Sequence, residues 1–167
     1  MARVVVLTGG NIGDIKTRLQ VAQQLLNEKV GAVLRCSHRY KSEPWGFKTN
    51  GGDLFSNQIL EISTDLTPEE LLDAIQEIEN TLGRDRAAEL ASCAATGECY
   101  ASRHIDIDII FYDDQIISTD RLTIPHPHIG KREFVLIPLC ELMRTRKHPV
   151  TGATMQEMLD SLRAEKG

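Results

Sequence analysis

The stretch YASRHIDIDII (Tyr100–Ile110) contains the strand that closes the fold pattern of this chain. From Ile105 onward it alternates as a half-buried β-strand does, with Ile105, Ile107 and Ile109 on one face. The other face then carries Asp106 and Asp108, about 6.5–7 Å apart along the backbone and pointing the same way. Two like charges at that spacing repel, and aspartate is a poor strand former. A strand of this kind, with Arg103 just upstream, asks for cations between its carboxylates or for water over an exposed edge.

Upstream, apolar and punctuating residues mark out the rest. RVVVLT (3–8) reads as a strand ended by a Gly9–Gly10 turn. From Asp14 to about Val30, Ile15, Leu19, Ala22, Leu25 and Leu26 have helical spacing, and Gly31 is a stop. AVLRCSHRY (32–40) reads as one strand, followed by the Gly- and Pro-rich loop KSEPWGFKTNGGD. LFSNQILEIS (54–63) is a further strand. Thr67, Pro68 and Glu70 form a capping-box start, and Gly83 ends that helix. The aspartate strand runs to about Tyr112, where DDQ turns into a short partner, QIIS. The order β-α-β-β-α-β is the split βαβ pattern of ferredoxin-like folds. A helical segment at 132–143, disturbed by Pro138, and a last helix capped by Thr154 and Glu157 complete it. One α+β domain over residues 1–167 is expected, its sheet mainly antiparallel with helices on both faces.

Composition narrows the function classes. The chain has 167 residues, 41% hydrophobic and 26% charged, and is long enough to bury a real core. Its net charge of −5 argues against a general nucleic-acid or membrane-surface binder. No apolar run approaches a membrane span, and the apolar part of MARVVVLTGG is too short for a signal peptide. A cytoplasmic monomer is expected. Cys36, Cys93, Cys99 and Cys140 are scattered without a CxxC pair, and Cys93, Cys99 and His104 match no common zinc spacing. No Lys or Arg falls between Lys48 and Arg84, and the acidic residues of 67–82 read as a solvated helix face. Arg84, Arg86, Arg103, Arg121, Lys131 and Arg132 then gather in the second half. Arginines in loops beside paired carboxylates suit a polyphosphate with its metal ions.

The turn TGGNIG fits neither common phosphate loop. Asn11 stands where a dinucleotide fingerprint requires its second glycine, and no GK followed by Ser or Thr occurs. A nucleotide would therefore be held by arginines and metal. For Asp106 and Asp108 three readings stand: a strand edge meeting water, the metal-bound DxD of sugar-nucleotide transferases, and a carboxylate pair holding magnesium over a polyphosphate. Magnesium takes oxygen ligands, commonly one or two carboxylates plus substrate phosphates.

At these residues the sequence resembles the 6-hydroxymethyl-7,8-dihydropterin pyrophosphokinase family. SRHIDIDII (102–110) is similar to its signature of an arginine followed by Asp-x-Asp and aliphatics. GGNIGD (9–14) resembles its N-terminal turn, with Gly10 in place of a more usual serine. YKSEPWG (40–46), FSNQILEI (55–62), IENTLGRDR (78–86) and RLTIPHPHIGKREFVLIPL (121–139) resemble its first substrate loop, the following strand, the second helix and the region after the aspartate strand. The motifs occur in order from about residue 4 to residue 140.

The resemblance implies transfer of an intact pyrophosphoryl group from ATP to the hydroxymethyl oxygen of the dihydropterin, a step of folate synthesis that releases AMP. It implies two Mg²⁺ ions on Asp106 and Asp108, with Arg84 and Arg103 also catalytic. Around ATP it implies Gln76, Glu79, Arg86, Tyr100, Ile109, Arg121, Thr123, His126 and Arg132. Around the pterin it implies Ser42, Glu43, Pro44 and Trp45 on the loop side, Asn57 at the ring edge, and Phe55 and Phe134 across its faces. Without the resemblance, Phe55 and Phe134 read as core packing, Glu79 as part of a solvated helix face and His126 as a loop residue. The expected partners are the two small-molecule substrates, with no nucleic acid and no membrane. A non-catalytic ferredoxin-like ligand-binding or regulatory module is the alternative, and Asp106, Asp108 and Arg103 speak against it. Three features depart from the family pattern: the insert AAELASCAATGEC (87–99), Cys99 in place of an arginine, and Pro127 in place of a tyrosine. The segment from Arg84 to Ser102 is expected to close over bound substrates.

Overall fold

The computed structural model describes residues 1–10, 15–42, 55–82 and 105–166, with residues 15, 16, 42, 55 and 166 described in backbone only. In chain order the elements are β1 (Ala2–Gly10), α1 (Ile15–Lys29), β2 (Gly31–Cys36), β3 (Tyr40–Ser42), β4 (Phe55–Thr64), α2 (Pro68–Thr81), β5 (Asp106–Tyr112), β6 (Ile117–Ser118), β7 (Thr123–Ile124), α3 (Glu133–Met143) and α4 (Met155–Lys166). The main sheet has the order β2-β4-β1-β5, and β3 pairs with β4 beyond β2. Every adjacent pair in it is antiparallel. Hence β1 runs parallel to β2 with β4 between them, and β4 runs parallel to β5 with β1 between them. These two interleaved βαβ units are the expected α+β ferredoxin-like arrangement.

The valines of β1 explain its central place. Val4, Val5, Val6 and Leu7 are all buried, so both faces of the strand need cover. Val4 and Val6 pack with Leu19, Ala22 and Leu26 of α1 and Leu71, Ile75 and Ile78 of α2. Val5 and Leu7 pack on the opposite face with Val135, Leu136 and Leu139 of α3 and Met155, Leu159 and Leu162 of α4. Among the described residues no helix is long and apolar enough to cross a membrane.

Local signals set the helix starts. Thr67 and Glu70 satisfy one another's backbone N–H groups at the head of α2, and Thr154 and Glu157 do the same for α4. The described part of α2 ends at Leu82 as C-cap, and the expected stop at Gly83 lies outside the described residues. α3 begins after Arg132 and keeps Pro138 buried inside it.

Four expectations are corrected. Gly9 and Gly10 are not a turn but the last residues of β1, paired with Asn57 and Ser56. The strand over 32–40 is two strands, because Ser37 inserts itself into the edge of β4. Its N–H donates to the Ile59 carbonyl at 2.9 Å and its hydroxyl accepts from Ile59 N–H at 3.0 Å. QIIS does not return along β5, since β6 pairs with β7. Finally, the alternation of β5 holds for Ile105, Ile107 and Ile109, which share one face, and breaks only beyond them at a bulge: Val6 faces Ile109 and Val5 faces Phe111, leaving Ile110 as the extra residue. Ile110 and Phe111 therefore both join the cluster under α3 and α4, while Ile109 and Tyr112 lie with α1 and α2.

Candidate active site

Strand register brings the expected substrate residues into two adjacent rows. Gly9 is paired with Asn57 on one side and Asp106 on the other; Leu7 is paired with Ile59 and Asp108. Leu7 and Ile59 belong to the cluster beneath α3 and α4. Side-chain alternation assigns Asn57, Gly9, Asp106 and Asp108 to the same face. Two inter-strand spacings separate Asn57 from Asp106, about 10 Å of backbone, and the floor between them is a residue with no side chain. A Cβ on Gly9 would lie 2.9 Å from Asn57 Oδ1. Asn57 is buried, and its amide donates to the Tyr40 carbonyl at 3.1 Å.

Asp106 and Asp108 are half-buried, separated by buried Ile107. The Ile107 N–H donates to Glu79 Oε2 at 3.0 Å, so a carboxylate from α2 holds the outer edge of β5. Glu79 is 2% exposed and not part of the solvated face. It completes the buried stripe Leu71, Ile75, Ile78, and that i, i+4, i+7, i+8 spacing is the signal that would have found it.

His126 follows the cis Ile124–Pro125 bond and runs along β5, its N–H donating to the Ile110 carbonyl at 3.1 Å. Burial, the Arg132 charge and His128 push its imidazole down to about 4, against the opposing charge of Asp106. The His128 N–H donates to His126 Nδ1 at 3.2 Å. The neutral ring therefore carries its proton on Nε2, which leaves a donor to offer an anion. At the start of α3, the Arg132 guanidinium carbon stands 5.7 Å from the centroid of the half-buried Phe134 ring.

Other expected residues sit elsewhere. Arg121 holds Glu69 at 2.9 Å and Asp73 at 2.6 Å, both on the outer side of α2. Ile109 is buried beneath α1 and α2, so its side chain belongs to the core and only its main chain remains to meet a ligand. Gln76 and Thr123 are exposed. Ser42 and Phe55 pair at the start of β4 and are described in backbone only. Glu43, Pro44, Trp45, Arg84, Arg86, Tyr100 and Arg103, like the segment 87–99, lie outside the described residues.

Among the described residues no group of three or more His, Cys, Asp and Glu side chains could enclose a metal ion. The donor set is the pair Asp106 and Asp108. Two carboxylates on one face fit magnesium, which completes its shell with water and substrate phosphates, and fit poorly a metal needing a full protein cage.

A family model described as 7,8-dihydro-6-hydroxymethylpterin-pyrophosphokinase matches residues 5–144. A 2-amino-4-hydroxy-6-hydroxymethyldihydropteridine pyrophosphokinase of Aquifex aeolicus is 34% identical over 157 residues, covering 94% of this chain and 90% of the relative. A protein of the same name from Bacillus subtilis is 36% identical over 151 residues, covering 89% and 83%. The Folic acid synthesis protein fol1 of Schizosaccharomyces pombe is 37% identical over 155 residues, but this chain spans only 20% of its length. Among solved structures, Plasmodium falciparum HPPK-DHPS with pteroate superposes with a TM-score of 0.77 at 14% identity, over 98% of this chain and 45% of that one. That likeness speaks for the fold. The motifs, the rows of paired residues and the matched span agree, and the chain belongs to the 7,8-dihydro-6-hydroxymethylpterin-pyrophosphokinase family.

Proposed function

We infer that the chain transfers the pyrophosphoryl group of ATP to the hydroxymethyl oxygen of 6-hydroxymethyl-7,8-dihydropterin, releasing AMP, in folate biosynthesis. The observation that carries this reading is the row Asn57–Gly9–Asp106, which sets a hydrogen-bonding amide beside the carboxylate pair across a floor without a side chain. In the reaction a bond forms between the hydroxymethyl oxygen and the β-phosphorus. The bond from that phosphorus to the α,β-bridging oxygen breaks, AMP leaves with the electron pair, and the hydroxyl proton passes to solvent. Asn57 holds the pterin edge, and Phe134 with Phe55 covers the ring faces. That grip turns a bimolecular encounter into a positioned one. His126 offers Nε2–H to a phosphate oxygen, and Arg132 supplies charge beside it.

Asp106 and Asp108 would hold Mg²⁺, two ions in our reading, which when bound would neutralise phosphate charge and align the chain of phosphates. Arg84 and Arg103 are assigned to the charge that develops in transfer, and Gln76, Glu79, Arg86, Tyr100, Thr123 and the Ile109 main chain to the nucleotide. Ser42, Glu43, Pro44 and Trp45 are assigned to the pterin. Arg121 serves a phosphate only by exchanging Glu69 and Asp73 for it. We assign residues 1–167 to one domain, acting as a monomer in the cytoplasm, where ATP is available and exposed thiols such as Cys36 stay reduced.

The test is AMP release from ATP, with and without the hydroxymethyl dihydropterin and with and without Mg²⁺. AMP appearing only when pterin and Mg²⁺ are both present is expected. Pterin binding without AMP release would favour a non-catalytic ligand-binding module.

A further inference from the structure

Glu141 lies two helical turns along α3 from Phe134. Seven residues return to nearly the same side of a helix, about 10 Å further on. Its carboxylate collects three donors from the sheet edge: the His38 N–H at 2.9 Å, the His38 ring Nδ1 at 2.7 Å and the Tyr40 hydroxyl at 2.8 Å. Tyr40 is the first residue of β3, and its carbonyl receives the Asn57 side-chain amide. β3 then leads through Lys41 into Ser42, where the strand ends. One carboxylate therefore ties the helix that carries Phe134 to the strand that orients Asn57.

An ordinary surface ion pair would not need this arrangement. The His38 side chain is 88% exposed and contributes little burial, whereas the Tyr40 hydroxyl and the His38 N–H fix main chain next to a buried amide. Arg35 braces the same junction, donating to the Leu142 carbonyl at 2.7 Å and to both oxygens of buried Glu61 at 3.1 Å.

We propose that Glu141 is a positioning residue for the pterin slot. Through Tyr40 it sets the direction of Asn57, and through α3 it sets the distance of Phe134 from it. This rests on the reading of Asn57 and Phe134 as pterin contacts. Glu141 acts through His38, Tyr40 and α3, so its effect falls on pterin affinity and leaves ATP alone.

The test uses Glu141→Gln and Tyr40→Phe. A glutamine at 141 has one acceptor oxygen and brings its own donors toward those of His38 and Tyr40, whereas Tyr40→Phe removes a single hydroxyl and spares the fold. Calorimetry with a non-hydrolysable ATP analogue and then with the pterin gives the two affinities separately. Each variant is expected to weaken pterin binding about 3–10-fold, the effect of one or two hydrogen bonds, with ATP-analogue affinity unchanged. The double variant should lose no more than the worse single one, because both act on one network. Nuclear magnetic resonance of the Asn57 side-chain amide is read in parallel, without substrates. A shifted Asn57 signal in both variants is expected even if the wild-type chain were to bind no pterin, an outcome that would sink the functional reading alone. Unchanged Asn57 signals, or equal losses for pterin and ATP analogue, would overturn the positioning role.

Discussion

A methyl group on Gly9 would meet Asn57 Oδ1 at 2.9 Å and the Ser56 carbonyl at 3.2 Å. The carbonyl belongs to a paired strand and the amide is anchored on Tyr40, so neither yields easily. Gly9→Ala should therefore cost about 1–3 kcal/mol by overpacking and push Asn57 out of line. Urea unfolding and pterin titration would report both effects, and a variant of normal stability and affinity would refute the close fit. Asp106→Asn and Asp108→Asn test the other side of the row. Each keeps size but removes a ligand charge and eases like-charge repulsion. The expected result is a loss of at least about 100-fold in turnover with melting unchanged or raised, measured across Mg²⁺ concentrations. The carboxylates were legible in the sequence because their spacing of two is itself the strand period. Gly9 was not, since paired glycines more often mark a turn. Its role depends on an Asn57 side chain supplied from 48 residues away.

β5 carries both aspartates and is held on one side by β1 and on the other by a side chain of α2. Glu79→Leu would leave the Ile107 N–H without its acceptor, at a cost of about 1–3 kcal/mol. Glu79→Gln keeps an acceptor oxygen and should lose far less. Thermal melting of the two variants, with hydrogen exchange at Ile107, separates them; equal stability would show that the carboxylate contributes only packing. Elements with local signals were readable in advance: the reciprocal caps at Thr67 and Thr154, the helical stripe of α1 and the valines of β1. Features set by distant partners were not. Ser37 breaks the β2–β3 edge by bonding to Ile59, and Ile110 is extra only with respect to β1. QIIS takes β7 as partner, and Glu79 is buried by a strand 28 residues downstream.

At the scale of the molecule, groups held below their ordinary pKa make acid unfavourable, among them His148, His126 and Glu141. Burial lowers His148, and burial with Arg132 and His128 lowers His126 to about 4. Both protonate near 6.5 once unfolded, so below that pH the unfolded chain binds more protons and stability falls. Burial opposes ionisation of Glu141, but donors from His38 and Tyr40 hold its carboxyl below the usual range, and its contribution is lost as pH drops below about 4.5. Melting temperature should be level between about pH 7 and pH 8 and decline from 6.5 to 4. His126 should account for about 2 kcal/mol of that decline after allowance for its remaining solvent contact. His126→Asn should flatten the slope; an unchanged slope would assign the loss to other groups. The central place of β1 bears on how the chain is made. β1 leaves the ribosome well before either strand that flanks it: β4 is complete only at Thr64, and β5 only at Tyr112. Until then a valine-rich ribbon is open along one edge or both, the condition under which nascent chains stick to one another. Chains stopped after Leu82 should collect in the insoluble fraction and bind a holdase chaperone, while chains reaching Lys166 should not. Synthesis of nested truncations, followed by sedimentation, would locate the length at which the ribbon becomes safely enclosed.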